Sequence, residues 1–374
     1  MDASRLQVAA RRGRDDEQSE RTLGKLDDRT LPEVSGPAGE VSSLRDSWER
    51  GSAILDLQKE QVAALIEPAF PGQTLTYCKI AEGGLSNTNL FVRLSGRPDP
   101  VLLRVYTRDP SQASKEWAIL TRLSGQIPVP RLFYSAMQSD EFPHAYAIME
   151  WVEGMRAELA SPDKIGHDGL REVAHSIGRT LAGIHSVHFD VAGFLDGNLA
   201  VVERISLGGD ALTEFLDEQL GASGPGRQNL GSKLADSVIN FAAQEGGLLN
   251  TWSGAPSLTH ADYGGSNILV RNIAAGWRTS AILDWEFSFS GTPFFDLGNL
   301  LRPPLGTLDG FEQAVAQGYR EAGGLLPPEW RRISLLTDLY SWAEFLGRPS
   351  CGPNLAEAAR KMIMQTMRSF TARQ

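Results

Sequence analysis

Residues 258–286 have the sequence LTHADYGGSNILVRNIAAGWRTSAILDWE. It contains His260, Asp262 and Asn267 in the spacing H-x-D-x-x-x-x-N, and Asp284 follows after an apolar run. Two short apolar runs flank a polar connection, which predicts a β-hairpin. Because the first residue of one antiparallel strand faces the last residue of the other, we expect the hairpin to bring Asn267 and Asp284 side by side.

An amide oxygen and a carboxylate held close together are suitable ligands for a hard divalent cation such as Mg²⁺. Asp262 precedes the hairpin, where it could accept a proton from a nucleophile near that metal. The same groups occur in the same order in the kinase arrangement for phosphoryl transfer. The alternative is an Asx-rich turn, in which Asp262 and Asn267 only cap their own backbone.

Composition narrows the class of protein. The chain has 374 residues, enough for one large two-lobed domain or two smaller ones. Its formal net charge of −10 argues against a nucleic-acid or anionic-membrane partner, which would require a basic patch. Cys78 and Cys351 match no metal or CxxC spacing, so we expect reduced thiols in a cytoplasmic protein.

The first part of the chain changes from a polar arm to helix and strands. Residues 1–45 mix charges with Gly, Pro and Ser, so a disordered arm is expected. Apolar runs then predict a helix and two strands that flank a glycine-containing loop. In this loop Gly83 and Gly84 allow backbone N–H groups to approach a ligand, and the Ser86 hydroxyl could reach phosphate oxygens. An ordinary hairpin loop is the alternative.

A cation and a carboxylate follow in the next strand and helix. Arg104 lies within the apolar strand 101–106, and a helix begins after Asp109 as its N-cap. Glu116 shares a face of this helix with core leucines, where an unpaired carboxylate would be costly. We therefore expect Arg104 to pair with Glu116, as in the ion pair of a kinase. In the alternative, Glu116 lies in solvent and the Arg104 side chain extends along the surface.

The sequence changes character after Glu150, where an apolar strand gives way to polar residues and a glycine. We place the hinge between two lobes here, and backbone groups from Glu150 to Val152 could hydrogen-bond a flat heterocycle such as adenine. A 3.6-residue period predicts a buried central helix over residues 170–184. The pattern indicates an α+β fold with an antiparallel N-lobe sheet over residues 46–150 and a mainly helical C-lobe over residues 151–374. Gly and Pro residues between segments of the C-terminal part predict three further helices, near 309–322, 328–347 and 353–371.

The sequence resembles the aminoglycoside phosphotransferase and choline kinase superfamily, which comprises small-molecule kinases with a two-lobed protein-kinase-like fold. The resemblance extends from about residue 57 to the C-terminus. It is based on the motifs EGGLSN, VLLRVY, KEWAIL, VPRLF, AIMEWVEG, LAGIHSV, THADYGGSNILV, AILDWE and GTPFFDLG. VPRLF and the last four motifs are typical of this branch rather than of protein kinases.

The resemblance implies roles for individual residues. Asp262 would be the catalytic base, while Asn267 and Asp284 would bind Mg²⁺. Arg104, paired with Glu116, would contact the nucleotide phosphates. An arginine stands here in place of the more familiar lysine, and the two side chains are not equivalent at a phosphate site.

The same resemblance implies that Ser86 belongs to the phosphate loop, and that His260 and Asp296 brace the catalytic loop. Two further departures from the family pattern occur. Ala261 stands where this branch usually has glycine, and we expect this difference to be harmless. Thr292 stands where the G-D-P motif of the family has its aspartate. The supporting role of that aspartate carboxylate is therefore in doubt for this chain.

The sequence therefore predicts an enzyme that uses ATP, or alternatively GTP, with Mg²⁺ to phosphorylate a hydroxyl of a small molecule. The acceptor would be aminoglycoside-, choline- or sugar-like, and the oligomeric state is open. The alternative is a nucleotide-binding pseudoenzyme or regulatory module of the same fold, because fold alone does not fix function. A protein kinase is disfavoured, because no peptide-docking signature or activation loop follows Asp284.

Overall fold

The computed structural model describes residues 54–81, 87–107, 109, 111–139 and 141–371. The arm predicted at residues 1–45 lies outside this part of the chain. So do the loop residues Gly83, Gly84 and Ser86.

The first sheet is built from five strands, β1 (Leu75–Ile80), β2 (Thr88–Leu94), β3 (Val101–Val105), β4 (Leu132–Ala136) and β5 (Tyr146–Glu150). They pair antiparallel in the order β1-β2-β3-β5-β4. Helix α1 (Lys59–Ile66) precedes the sheet, and α2 (Ser111–Leu123) follows β3. Because successive side chains of a strand point to opposite faces, Ile148 packs in a small core with α1, whereas Ala147 and Met149 join the main core with α2.

The second part of the chain is mainly helical. Its helices are α3 (Pro162–His185), α4 (Gly209–Leu220), α5 (Arg227–Leu230), α6 (Ser232–Glu245), α7 (Pro293–Leu300), α8 (Phe311–Glu321), α9 (Trp330–Gly347) and α10 (Pro353–Thr371). In α3 the side chains of Val173, Ile177, Leu181 and Ile184 are fully buried at helical spacing, so α3 is the central helix that the sequence predicts. The last three helices begin and end within two residues of their predicted bounds.

Short strands complete two more sheets. Strands β6 (Met155–Arg156), β10 (Ile268–Ile273) and β11 (Gly276–Ile282) pair in the order β11-β10-β6. Strands β7 (Gly193–Leu195), β8 (Val201–Arg204), β9 (Ser257–Thr259) and β12 (Phe289–Gly291) pair in the order β8-β7-β12-β9. The sequence pattern predicts the β10–β11 hairpin but not the four-stranded sheet.

The hairpin register differs by one residue from the expected one. Ile268 pairs with Ile282, so Asn267 lies beside Leu283, whose backbone N–H donates to the Asn267 carbonyl at 2.9 Å. Asp284 follows immediately, in the left-handed region with φ of 68°. The hairpin therefore brings Asn267 and Asp284, the two predicted metal ligands, to its open end, where β10 begins and β11 has ended, as expected.

The architecture confirms the predicted α+β class: a lobe based on an antiparallel sheet is followed by a mainly helical lobe that contains a hairpin. In the described part of the chain, no helix combines the length and the apolar character needed to cross a membrane.

Candidate active site

The loop that contains Asp262 follows β9 and is held by one carboxylate. The backbone N–H groups of His260 and Ala261 donate to the two oxygens of Asp296, each at 2.8 Å. His260 Nε2 lies 2.9 Å from the Leu283 carbonyl, and the Asp262 N–H donates to His260 Nδ1 at 3.2 Å. The neutral tautomer with its proton on Nε2 satisfies both contacts. His260 thus joins the loop to the end of the hairpin.

Asp296 itself is fully buried in the first turn of α7, which begins with Pro293 after Thr292. His185 at the end of α3 places Nε2 3.0 Å from Asp296 Oδ2, and its Nδ1 lies 2.9 Å from the Tyr319 hydroxyl. Burial, together with the charge of Asp296, raises the pKa of Tyr319 well above its ordinary value. Tyr319 therefore acts as a neutral hydrogen-bond donor.

Asp262 and Asn267 are in direct contact. The Asn267 side-chain amide donates to Asp262 Oδ2 at 2.8 Å and to the Asp262 carbonyl at 2.9 Å. Both residues are buried. Because the amide nitrogen orients Asp262, the amide oxygen is the atom of Asn267 that a cation could use.

Arg104 links the sheet to the end of the hairpin. Its Nε lies 3.2 Å from Glu116 Oε2, and its Nη2 donates to Asp284 Oδ1 at 2.5 Å. Glu116 also accepts a hydrogen bond of 2.6 Å from the Tyr106 hydroxyl and one of 3.4 Å from the Trp285 N–H. Burial alone would lower the pKa of Arg104, but the carboxylates of Glu116 and Asp284 outweigh it and raise this pKa well above the ordinary value. Arg104 is therefore a fixed, permanent cation.

The side chain of Asp284 is 30% exposed, far more than the side chains of Arg104 and Glu116. The partly exposed carboxylate of Asp284 and the amide oxygen of Asn267 belong to the same strand ends. Both are hard oxygen donors that suit Mg²⁺, which commonly takes few protein ligands and keeps water or phosphate oxygens. The described residues contain no cluster of three or more His, Cys, Asp or Glu side chains that could hold a metal on its own. The chemistry of this donor set fits Mg²⁺ rather than a transition metal.

The remaining predicted residues lie at the junction between the lobes. Glu150 ends β5 with an exposed side chain, and its backbone N–H donates to the Arg131 carbonyl at 2.8 Å. Val152 follows in a partly buried segment. Glu150 pairs with Val101 on β3, three residues before Arg104. His260, Asp262, Asn267 and Asp296 form one hydrogen-bonded group that includes the Leu283 backbone, and Asp284, which follows Leu283, contacts Arg104.

Sequence reasoning did not find four residues that support the site. His185 contacts Asp296 and is itself held by Tyr319, while Tyr106 and the Trp285 backbone hold Glu116. His185 is 111 positions from its partner, so no local pattern could have identified the pair. The one available signal was a polar histidine at the buried end of an apolar helix face.

Comparison with known proteins gives the family. Residues 78–336 match the model of the phosphotransferase enzyme family, which covers more than half of the chain. No curated protein sequence matches the chain.

Several solved structures share the fold. A thermostable mutant of the aminoglycoside phosphotransferase APH(4)-Ia, in complex with ADP and hygromycin B, has a TM-score of 0.58 at 16% identity, covering 82% of this chain and 98% of its own. The aminoglycoside phosphotransferase APH(2")-IIia, in complex with GDP and kanamycin, has a TM-score of 0.61 at 15% identity, covering 82% and 98%.

A protein assigned provisionally as a fructosamine-3-kinase, from Thermobifida fusca YX-ER1, has a TM-score of 0.54 at 17% identity and covers 81% and 98% of the two chains. At these identities the similarity concerns the fold alone. Fold similarity at these identities does not establish the family, but the match to the family model does. The chain belongs to the phosphotransferase enzyme family.

Proposed function

We propose that the protein transfers the terminal phosphate of ATP, or alternatively GTP, to a hydroxyl group of a small molecule. The observation that supports this most directly is the contact between Asn267 and Asp262, 2.8 Å from amide to carboxylate, at the strand end that also holds Asp284. A candidate base and one candidate metal ligand are thus hydrogen-bonded to each other, and the second candidate metal ligand lies at the same strand end. This is the arrangement that positions a nucleophile in phosphoryl transfer.

In this proposal Asp262 orients the acceptor hydroxyl and takes its proton. Asn267 and Asp284 would hold Mg²⁺, which when bound neutralises charge on the phosphate oxygens. Arg104, fixed by Glu116, would contact the phosphates as a permanent cation. His260 and Asp296 would keep the loop in position through the contacts described above.

The nucleotide would bind between an N-lobe over residues 46–150 and a C-lobe over residues 151–374. Backbone groups from Glu150 to Val152 would contact the base, and Gly83, Gly84 and Ser86 would close over the phosphates. Support for a nucleotide comes from the complexes of the fold relatives with ADP and GDP. Their hygromycin B and kanamycin ligands favour an aminoglycoside- or sugar-like acceptor, and a choline-like amino alcohol is the other candidate.

The test separates the roles of the two aspartates. Asp262→Asn should lower the turnover number by about 10²- to 10⁴-fold, because a general base is lost, and leave ATP affinity nearly unchanged. Asp284→Ala should abolish the Mg²⁺-dependent part of ATP binding. Turnover is measured as ADP release against a panel of aminoglycosides, macrolides, amino alcohols and sugars, and affinity by isothermal titration calorimetry.

Asp168→Asn is the matched control, because this carboxylate is 95% exposed on α3. Equal losses of ATP affinity in both active-site variants would contradict the division of roles. Mg²⁺-dependent ATP binding by the wild type without ADP release on any acceptor would instead favour the pseudoenzyme.

A further inference from the structure

Lys115 is a buried cation that the roles above do not use. It lies on α2 immediately before Glu116, and only 7% of the residue is exposed. Within the described residues the side-chain ammonium of Lys115 makes no hydrogen bond and has no carboxylate oxygen within 4 Å. A buried ammonium without such a partner is costly, so its retention calls for a reason other than packing.

Three carboxylates face Lys115 from different segments. They are Glu286 from the loop after β11, Asp109 from the segment before α2, and Glu116 from α2 itself. Burial lowers the pKa of Lys115 to about 8, although these three carboxylates act to raise it. Their attraction therefore does not offset the cost of burying the charge, and Lys115 titrates near neutral pH.

Two of these three carboxylates already have other partners. Glu116 binds Arg104, Tyr106 and the Trp285 backbone. Glu286 Oε2 accepts a hydrogen bond of 3.4 Å from the Asn87 side chain. The protein thus surrounds Lys115 with acidic groups that are committed elsewhere, and a ligand could supply the missing anion.

The position of Lys115 indicates which anion this is. Glu286 lies two residues after Asp284, and Asn87 follows directly after the loop over residues 82–86. Lys115 therefore lies near Glu286, which contacts Asn87 and is two residues from the proposed metal ligand Asp284, and it directly precedes Glu116 of the Arg104 pair. We infer that Lys115 binds the terminal phosphate of the nucleoside triphosphate as a second cation beside Arg104, an assignment that rests on the proposed function.

In the transfer, the bond between the terminal phosphorus and the oxygen of the nucleoside diphosphate breaks. A bond from that phosphorus to the acceptor oxygen forms, and the acceptor proton passes to Asp262. Lys115 makes and breaks no covalent bond. Its ammonium donates hydrogen bonds to the oxygens of the phosphate that moves, so its contribution ends when the diphosphate alone is bound.

The experiment compares ATP with ADP in Lys115→Met, Lys115→Arg and the control Arg122→Met, which removes an exposed cation from the same helix. Lys115→Met should weaken ATP binding and kcat/KM by roughly 10- to 100-fold, the range for a lost charged hydrogen bond, and leave ADP affinity unchanged. Lys115→Arg should retain most of the ATP affinity. Because Lys115→Met removes an uncompensated buried charge, its urea midpoint should be no lower than that of the wild type.

The pH dependence provides a second measurement. The ammonium is present below a pH of about 8 and is lost above it, so wild-type ATP affinity should fall as the pH rises through that value. Lys115→Met should not show this decline. Equal losses of affinity for ATP and ADP in Lys115→Met would overturn the assignment. Unchanged affinity for both nucleotides in this variant would also overturn it when the wild type is active. A wild type that binds neither nucleotide would overturn the proposed function and the assignment with it.

Discussion

Asp296 is a single carboxylate that holds the backbone of the candidate catalytic loop. Its oxygens accept hydrogen bonds from two successive N–H groups, and one of these belongs to Ala261, which has a φ of 65°. A non-glycine residue in this region is strained by roughly 1–2 kcal/mol. The usual glycine of the family at this position therefore has a physical reason, and Asp296 offsets the strain in this chain.

Replacing Asp296 by Asn should disturb the loop more than the rest of the fold. An amide has one acceptor oxygen, so one buried N–H is left facing an NH₂ group at a cost of about 1–3 kcal/mol. We expect unfolding free energy to fall by that amount and turnover by roughly 10- to 100-fold, because Asp262 is no longer held in position. Urea unfolding and steady-state kinetics measure the two effects.

Asp168→Asn again serves as the control. A loss of stability in Asp296→Asn with unchanged turnover would show that the loop keeps its geometry without this carboxylate.

The spacing in residues 258–286 was sufficient to predict that Asn267 and Asp284 lie at the same end of the hairpin, because antiparallel pairing brings the start of one strand beside the end of the other. It could not identify the contact between Arg104 and Asp284, which are 180 positions apart. Partners of that kind depend on how two lobes meet, and local patterns contain no information on it. The same limit applies to Lys115, because Glu286, the carboxylate with the largest effect on its pKa, is far from it in the sequence.

At the scale of elements, α3 and α8 cross with their backbones in contact. A Cβ atom added to Gly178 on α3 would clash with the Val315 carbonyl oxygen, and one added to Gly318 on α8 would clash with the His175 carbonyl oxygen. This close crossing brings His185 and Tyr319 together, one from each helix. The support of Asp296 thus depends on two glycines that lie outside the site.

Gly178→Ala should therefore destabilise the protein, although alanine is the better helix former. The gain in helix propensity is about 1 kcal/mol. Overpacking against a rigid backbone costs about 1–3 kcal/mol, and the contact with a carbonyl group places this site at the upper end. A lower urea midpoint is expected for Gly178→Ala, whereas Gly247→Ala, at a glycine with open space around it, should be nearly neutral. Equal midpoints for the two variants would contradict the tight crossing.

The bounds of the last three helices were predicted to within two residues, because the Gly and Pro residues that end a helix are a local signal in the sequence. The sheet formed by β7, β8, β9 and β12 was not predicted. Its strands have three or four residues, too few for an alternating pattern. Two of its three pairings, those of β12 with β7 and with β9, join segments that are far apart in the sequence.

At the scale of the whole molecule, the contacts that join the first lobe to the loop after the hairpin concentrate at the proposed nucleotide site. They include Arg104 with Asp284, Glu116 with the Trp285 backbone, and Asn87 with Glu286. The partners in these pairs are 169 to 199 positions apart. A ligand bound here should therefore stabilise both lobes at once.

Mg²⁺ and ATP at about 100 times the dissociation constant should raise the unfolding free energy by about 2.7 kcal/mol. Amide hydrogen exchange should slow together in β3 and in residues 284–286, because both belong to the same cluster of contacts. ADP without Mg²⁺ is the control and should give weaker protection. Protection confined to one of the two segments would contradict a site shared between the lobes.

The α3–α8 crossing also limits how this protein can evolve. In an ordinary core, a larger side chain can be accommodated when a neighbouring side chain becomes smaller. Gly178 and Gly318 each face a main-chain carbonyl of the opposite helix, and no substitution elsewhere makes a carbonyl smaller. An enlargement at either glycine therefore has no compensating partner, so we expect both positions to remain glycine in lineages that keep this helix pair at its present distance.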